Sequence, residues 1–306
     1  MHLPSRRELW LFLRLTRPHF LAGSLLSFGL GAALASYLKH PVDIGLYLLG
    51  QAAVTAAHIM NHFLNEYHDF EEDRLNDNRT PMSGGSGTLG EGGLDPKVAL
   101  YSSFGAMTIL ATVAGVLLLS GRVSIVAWLL LFLIATGAYF YNVPPVRLAA
   151  SGYGEFSAAL IVSGLVPAFS YALQAGDLDL QVLLATFPLV AATFALLMIV
   201  ELPDYATDLK VGKENLMVRL GWRNGMWLHD AALALAFVGL GVGYFSGLPY
   251  KVAVGPLIAL PLAVAQIWTL WRIRNGAPTR WTMLTVSAVV LLGLMTYLEL
   301  AGYLLS

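Results

Sequence analysis

Carboxylates gather in two tight clusters, each at the end of a long apolar stretch. The first lies in Asn65-Glu66-Tyr67-His68-Asp69-Phe70-Glu71-Glu72-Asp73, and the second in Asp204-Tyr205-Ala206-Thr207-Asp208, followed by Lys210 and Lys213. Asp69 and Asp73 are four residues apart, as are Asp204 and Asp208, so on a helix each pair shares one face. Asn65 sits one turn further back on the first face. Like charges at this spacing repel, and a bound cation reverses the sign of that interaction. Carboxylates beside hydrocarbon are costly because the bilayer strips their hydration, so two such clusters call for a compensating ligand. Every donor offered is oxygen, which suits Mg²⁺ rather than zinc or copper, with water and phosphate completing its shell. Asp69, Asp73, Asp204 and Asp208 are therefore the candidate catalytic and metal-holding residues. Asn65 is a candidate neutral ligand and Glu66 an open case, while Glu71, Glu72 and Asp77 read as solvated.

Basic residues trail both clusters. Arg79 follows the first, and Lys210, Lys213 and Arg219 follow the second, where they suit phosphate oxygens that metal ions leave uncovered. Tyr139, Tyr141 and Asn142 end another apolar run before Pro144-Pro145, which forces the chain out of helix. An aromatic ring beside a diphosphate can stabilise a departing carbocation. Tyr141 is the candidate for that role, because Arg147 and Glu155 follow it, and Arg147 joins the candidate diphosphate contacts. The run Pro81-Met82-Ser83-Gly84-Gly85-Ser86-Gly87 has no Walker lysine and reads as a mobile cover over the acidic site, with a plain linker as the alternative. His58, His62 and His68 flank the first cluster without a third converging ligand, and read as hydrogen-bonding groups.

The elements that must position these groups are membrane helices. Of the 306 residues, 57% are hydrophobic and 12% charged, about half the charged share of a soluble protein. Nine apolar segments recur near spanning length, roughly 18–38, 44–64, 98–119, 123–141, 156–175, 180–202, 228–246, 251–271 and 282–304. The first follows Arg6, Arg7, Arg14 and Arg17 and reads as an uncleaved helix. The expected fold is an all-α bundle of nine transmembrane helices forming one membrane-embedded domain over residues 1–306. Its two long links, about 65–97 and 203–227, hold the acidic clusters. Nine spans would put only Lys39, Arg122 and Lys251, of 18 Lys and Arg, on the side opposite the N-terminus. That bias predicts a cytoplasmic N-terminus and cytoplasmic acidic loops. The links follow the second and sixth segments, which suggests a weak repeat of four-helix units. With no cysteine, thiolate chemistry and disulfides are excluded.

These residues resemble the UbiA superfamily of intramembrane prenyltransferases over nearly the whole chain. Asn65-Glu66-x-x-Asp69-x-x-x-Asp73 is similar to the family's first aspartate motif except at Glu66, where the family has aspartate. Asp204-x-x-x-Asp208, with Gly212-Lys213 and Arg219-Leu220-Gly221, is similar to the second. Arg79-Thr80-Pro81, the serine–glycine run to Gly87, and Tyr141-x-x-Pro144-Pro145-x-Arg147-Leu148 before Gly154-Glu155 look most like the dihydroxynaphthoate prenyltransferases of menaquinone synthesis. The resemblance implies Mg²⁺ held by Asn65, Asp69, Asp73, Asp204 and Asp208. It also implies transfer of a polyprenyl group from its diphosphate to an aromatic acceptor, 1,4-dihydroxy-2-naphthoate. The expected partners are these two substrates and lipid, with no nucleic acid, in a bacterial or archaeal cell membrane. Alternatives are another acceptor, such as 4-hydroxybenzoate or a non-aromatic lipid precursor, and, in another class, a secondary transporter.

Overall fold

The structure is a computed structural model that describes residues 5–306. A short amphipathic helix α1 (Arg6–Leu15) comes first, started by a capping box in which Ser5 and Glu8 bond each other's backbone N–H. Its Leu9, Trp10 and Leu13 are exposed, the pattern of a helix lying along a membrane surface. The chain then runs through α2 (Pro18–Tyr37), α3 (Ile44–His68), α4 (Phe70–Asp73), α5 (Pro96–Ser120) and α6 (Ile125–Phe140). One long rod follows, made of α7 (Gly154–Leu160), a π-helical turn (Ile161–Leu165) and α8 (Val166–Ala175). Next come α9 (Leu180–Val200), α10 (Tyr205–Val211), α11 (Leu216–Leu220) and α12 (Trp222–Phe245). The last rods are α13 (Tyr250–Val254) with α14 (Leu260–Arg274), and α15 (Trp281–Leu304). No strand occurs among the described residues; Thr80–Ser83 and Leu89–Leu94 form isolated bridges within one loop.

Seven helical runs among the described residues are long and apolar enough to cross a membrane. The chain is a multi-pass integral membrane protein. Two apolar segments of the sequence fall on other helices: α6 is 16 residues long, and α3, at 25 residues, is interrupted by Gln51, His58, Asn61, His62, Asn65 and Glu66. Helix α12 begins at Trp222 rather than near 228, because Arg223 and Asn224 interrupt the apolar run while remaining helical. Asp43, Asp95, Ser124 and Asp179 each accept a backbone N–H at the start of α3, α5, α6 and α9, satisfying donors that lipid would leave bare.

Helix α2 packs on α8, α3 on α5 and α6, α9 on α12, and α15 against both α2 and α9. Small residues permit the closest approaches. A Cβ at Gly31 would lie 2.1 Å from the Pro167 carbonyl oxygen and 2.7 Å from the Ser170 Cβ. Phe28 fills the space beside this contact, with its ring 6.0 Å from that of Phe169. The bundle's outer face carries Leu119, Phe245 and Ile125, all exposed to what would be lipid.

Gly31→Val should separate α2 from α8 and cost about 1–3 kcal/mol or more, because backbone, not a flexible side chain, blocks the new methyls. The thermal midpoint of the detergent-solubilised protein is expected to fall. Gly23→Ala, whose Cβ would meet nothing within 4 Å, should leave it unchanged.

Candidate active site

The first cluster straddles a helix break. Helix α3 ends at His68, Asp69 is its C-cap, and α4 carries the chain to Asp73. Bonds from Asp69 N to Asn65 O (2.9 Å) and from Asp73 N to Asp69 O (2.8 Å) preserve the helical spacing across the break. The second cluster is not a continuation of the preceding span. Helix α9 stops at Val200, four residues turn, and Asp204 starts the separate helix α10, with its carbonyl accepting Asp208 N at 2.9 Å. Turning the chain here lets α10 lie against α4.

Asp69 and Asp73 of the first cluster, Asp204 of the second, Asn65, Tyr141 and the Gly84–Gly85 loop line one cavity of about 210 Å³, while Asp208 does not line it and reaches it only through Lys213. Lys213 lies between the clusters. Its Nζ is 3.1 Å from Asp69, 3.7 Å from Glu72 and 4.0 Å from Asp208. Arg147 bonds Asp69 and Glu72, each at 2.9 Å. Burial would raise the Asp69 carboxyl, yet Lys213 and Arg147 outweigh it and hold the group below the usual carboxylate range. Glu72, read as solvated in the sequence, is thus part of this network.

Glu66 faces the other way and takes Arg17, together with Ser86 N and Ser86 Oγ, both at 2.7 Å. Asp204 accepts Asn76 Nδ2 at 2.5 Å and Gly84 N at 3.2 Å, and Asp208 accepts Asn215 Nδ2 at 2.7 Å. The serine–glycine run therefore lies over the cavity, fastened to one carboxylate of each cluster. A Cβ at Gly85, whose φ is +73°, would come within 2.3 Å of Asp73 Oδ2, so only glycine lets the loop approach this closely. Arg17 (φ 49°) and Arg147 (φ 37°) are left-handed non-glycine residues, a strain that persists where surrounding contacts over-determine it.

Asp73 is the exception. Its carboxylate has no hydrogen-bond or ion-pair partner among the described residues; only its carbonyl takes Arg79, at 3.0 Å. Burial, reinforced by Asp69, Glu66 and Asp204, pushes it up to about 8 despite Arg17. Burial and Asp208 push Asp204 up to about 7. Asn65 Nδ2 donates to Asp69 (3.0 Å) and Asn142 (3.2 Å), leaving its Oδ1 without a partner among the described residues. No three acidic or histidine side chains converge at metal-binding distance among the described residues. Even so, under-compensated carboxylates and a free amide oxygen on one cavity are the hard donors that fit Mg²⁺.

The candidate cations divide. Arg79, Arg147 and Lys213 reach the acidic groups or the adjoining cavities. Lys210 is exposed, and Arg219 pairs with Glu214 at 3.1 Å; neither lines the cavity. Tyr141 separates the acidic cavity from a small apolar recess beside Gly137 and Ile161. The histidines do not converge: His62 bonds Thr16 O at 2.9 Å, and His58 Nε2 has no hydrogen-bond partner among the described residues. Asn76 and Glu201 belong to the site without having been singled out, while Ser86 and Asn142, named only within the covering run and at a helix end, bond directly to Glu66 and Asn65. Glu201 was the most readable of them, an acid three residues before Asp204 at the end of an apolar run; burial and Glu155 hold it well above the usual range.

Comparison with known proteins accords with this geometry. A sequence profile of the UbiA prenyltransferase family matches residues 24–289. The chain is 26% identical to the 1,4-dihydroxy-2-naphthoate octaprenyltransferase of Bacillus subtilis (strain 168), over 74% of this chain and 70% of that one. It is 28% identical to the digeranylgeranylglyceryl phosphate synthase of Thermococcus gammatolerans, over 81% and 80%. In fold it matches a UbiA homolog from Archaeoglobus fulgidus bound to GPP and Mg²⁺, with a TM-score of 0.65 and 16% identity over 96% of this chain and 99% of that one. The Cd²⁺-bound form of that homolog matches at 0.58, over 94% and 98%, with 15% identity.

Raised carboxyls hold protons below their pKa, and a cation binds only the ionised form. Mg²⁺ binding should therefore release protons between about pH 7 and 8 and tighten as pH rises through that range. Calorimetric titration in two buffers of different protonation enthalpy measures this release. Asp73→Asn should diminish it.

Proposed function

The chain belongs to the UbiA prenyltransferase family and is a prenyltransferase, and on that premise we propose that it transfers a polyprenyl group from an allylic diphosphate to 1,4-dihydroxy-2-naphthoate. The observation that carries the site assignment is the pair of acidic clusters on one cavity, with Asp73 left uncompensated. The acceptor assignment rests on the likeness to the dihydroxynaphthoate enzyme, together with the Arg79-Thr80-Pro81 and Tyr141 to Arg147 runs. In this reading the protein is a single domain of nine spans, with α3 and α6 among them. Its N-terminus and cavity face the cytoplasm, a reading that the skewed distribution of Lys and Arg supports.

Mg²⁺ would be held by Asp73, Asp204, Asp69, Asp208 and Asn65 Oδ1. Such a cation supplies the charge that stabilises a departing diphosphate. Lys213 and Arg147 keep Asp69 ionised and fixed in place, and Arg79, which lines the adjoining cavities, is placed to meet diphosphate oxygens. Glu66 is committed to Arg17 and Ser86, so its part is to anchor the loop. Tyr141 faces the allylic carbon from the boundary with the apolar recess, where its ring attracts positive charge. The C1–O bond breaks, with its electron pair leaving on diphosphate. The acceptor ring carbon bonds to C1, and the acceptor carboxylate departs as carbon dioxide, its electron pair restoring the aromatic ring. The covering loop keeps water from the allylic cation.

A second reading has its own observation: the 28% identity to a digeranylgeranylglyceryl phosphate synthase favours a non-aromatic glyceryl phosphate acceptor.

Purified protein with Mg²⁺ and a long-chain prenyl diphosphate should prenylate dihydroxynaphthoate, and EDTA should abolish turnover. Asp73→Asn and Asp204→Asn should each lower kcat by about a hundredfold or more, the scale of lost electrostatic stabilisation. Product from a glyceryl phosphate acceptor alone would establish the second reading, and turnover of neither would sink both.

A further inference from the structure

Between Trp222 and Ser306 the chain has only two acidic side chains, Asp230 and Glu299, and both are buried. Asp230 is taken by Arg274 (2.8 Å) and His229 (3.0 Å). Arg272 and Arg280, at the same end of the bundle as the acidic cavity, have no carboxylate partner among the described residues. Three arginines here lie on tryptophan rings instead. The guanidinium of Arg272 is 5.1 Å from the centroid of Trp268, that of Arg223 is 5.4 Å from Trp222, and that of Arg274 is 4.1 Å from Trp227. Stacking occupies the face of a guanidinium and leaves its N–H edge free for an oxyanion.

A cavity of about 290 Å³ opens between the end of α14 and the start of α15, lined by Trp268, Thr269, Arg272, Arg280 and Met283 among others. Its residues are distinct from those of the acidic cavity. Two guanidiniums line it, while Trp268 and Met283, each more than half exposed, lie on the bundle's lipid-facing surface. A site that is cationic on one side and apolar on the other matches an amphiphile whose phosphate sits at the headgroup level and whose carbons lie below it.

We propose that this cavity binds the phosphate of an anionic phospholipid, with Arg272 and Arg280 on the phosphate oxygens and Trp268 and Met283 against the glycerol and first acyl carbons. A zwitterionic headgroup would bring its own cation against the two guanidiniums and be held less well. Free phosphate would share the cationic contacts but leave the apolar wall unused. The bilayer also supplies phospholipid at this depth.

Native mass spectrometry of the full chain in detergent, with equimolar phosphatidylglycerol and phosphatidylcholine, tests the assignment. The expected result is retention of phosphatidylglycerol over phosphatidylcholine by about tenfold, the scale that basic side chains contribute toward an anionic lipid. Arg272→Gln with Arg280→Gln should abolish this preference, and Arg122→Gln at the opposite end should keep it. Met283→Glu places a carboxylate on the cavity wall and should also abolish it, so the outcome does not depend on the double variant folding. Equal retention of the two lipids, or a preference that survives both substitutions in folded protein, would overturn the proposal. Displacement of the lipid by millimolar inorganic phosphate would identify free phosphate as the ligand and overturn it equally.

Discussion

Lys213 reaches carboxylates from both acidic clusters with one ammonium group, and much of the cavity's form depends on it. Asp69 and Glu72 come from the start of the chain's first long link, Asp208 from the second. Without a shared cation these groups would repel at the edge of a medium that solvates charge poorly. The ammonium is itself buried, which opposes its charge, yet the surrounding carboxylates keep it protonated. Removing one member of such a buried network typically costs about 3–5 kcal/mol, because the partner is left uncompensated. The network is nevertheless incomplete. Lys213 and Arg147 pair with Asp69 and Glu72, Arg17 pairs with Glu66, and Asp73 is left without an ion-pair partner among the described residues. A site built to hold further positive charge has that arithmetic.

The loop over the cavity is held by the same currency. Ser86 and Gly84 donate to Glu66 and Asp204, so the cover is attached through the groups it covers. Its glycines allow the backbone to come closer than any side chain would permit. The extra methylene of Glu66, relative to an aspartate, lets it meet Arg17 and the loop on one side while Asp69 and Asp73 face the cavity on the other.

Much of this was legible in the sequence. The apolar segments, the two clusters and the sorting of basic residues to one side follow from local composition. Periodicity also identified the shared face of Asn65, Asp69 and Asp73, although α3 breaks at His68. What periodicity cannot convey is the partner across a gap. Asn76 reaches Asp204 over 128 positions, and Lys213 reaches Asp69 over 144. Lys210 and Lys213 looked equivalent as cations after the second cluster. Only the αL turn at Gly212 brings Lys213 back onto the carboxylates, while Lys210, two residues beyond Asp208, points to the opposite side of α10. Glu72 was misjudged for a similar reason: its neighbours arrive from distant segments.

The long reach of these pairs has a consequence for biogenesis. Asp69 leaves the ribosome 78 residues before Arg147 and 144 before Lys213. The N-terminal helices are therefore inserted while their acidic cluster still lacks the cations that later neutralise it. Water at the membrane surface must solvate those carboxylates in the interim. Closing the cavity is then a docking step between helices already in the bilayer, timed by the synthesis of α10 and the turn that follows it.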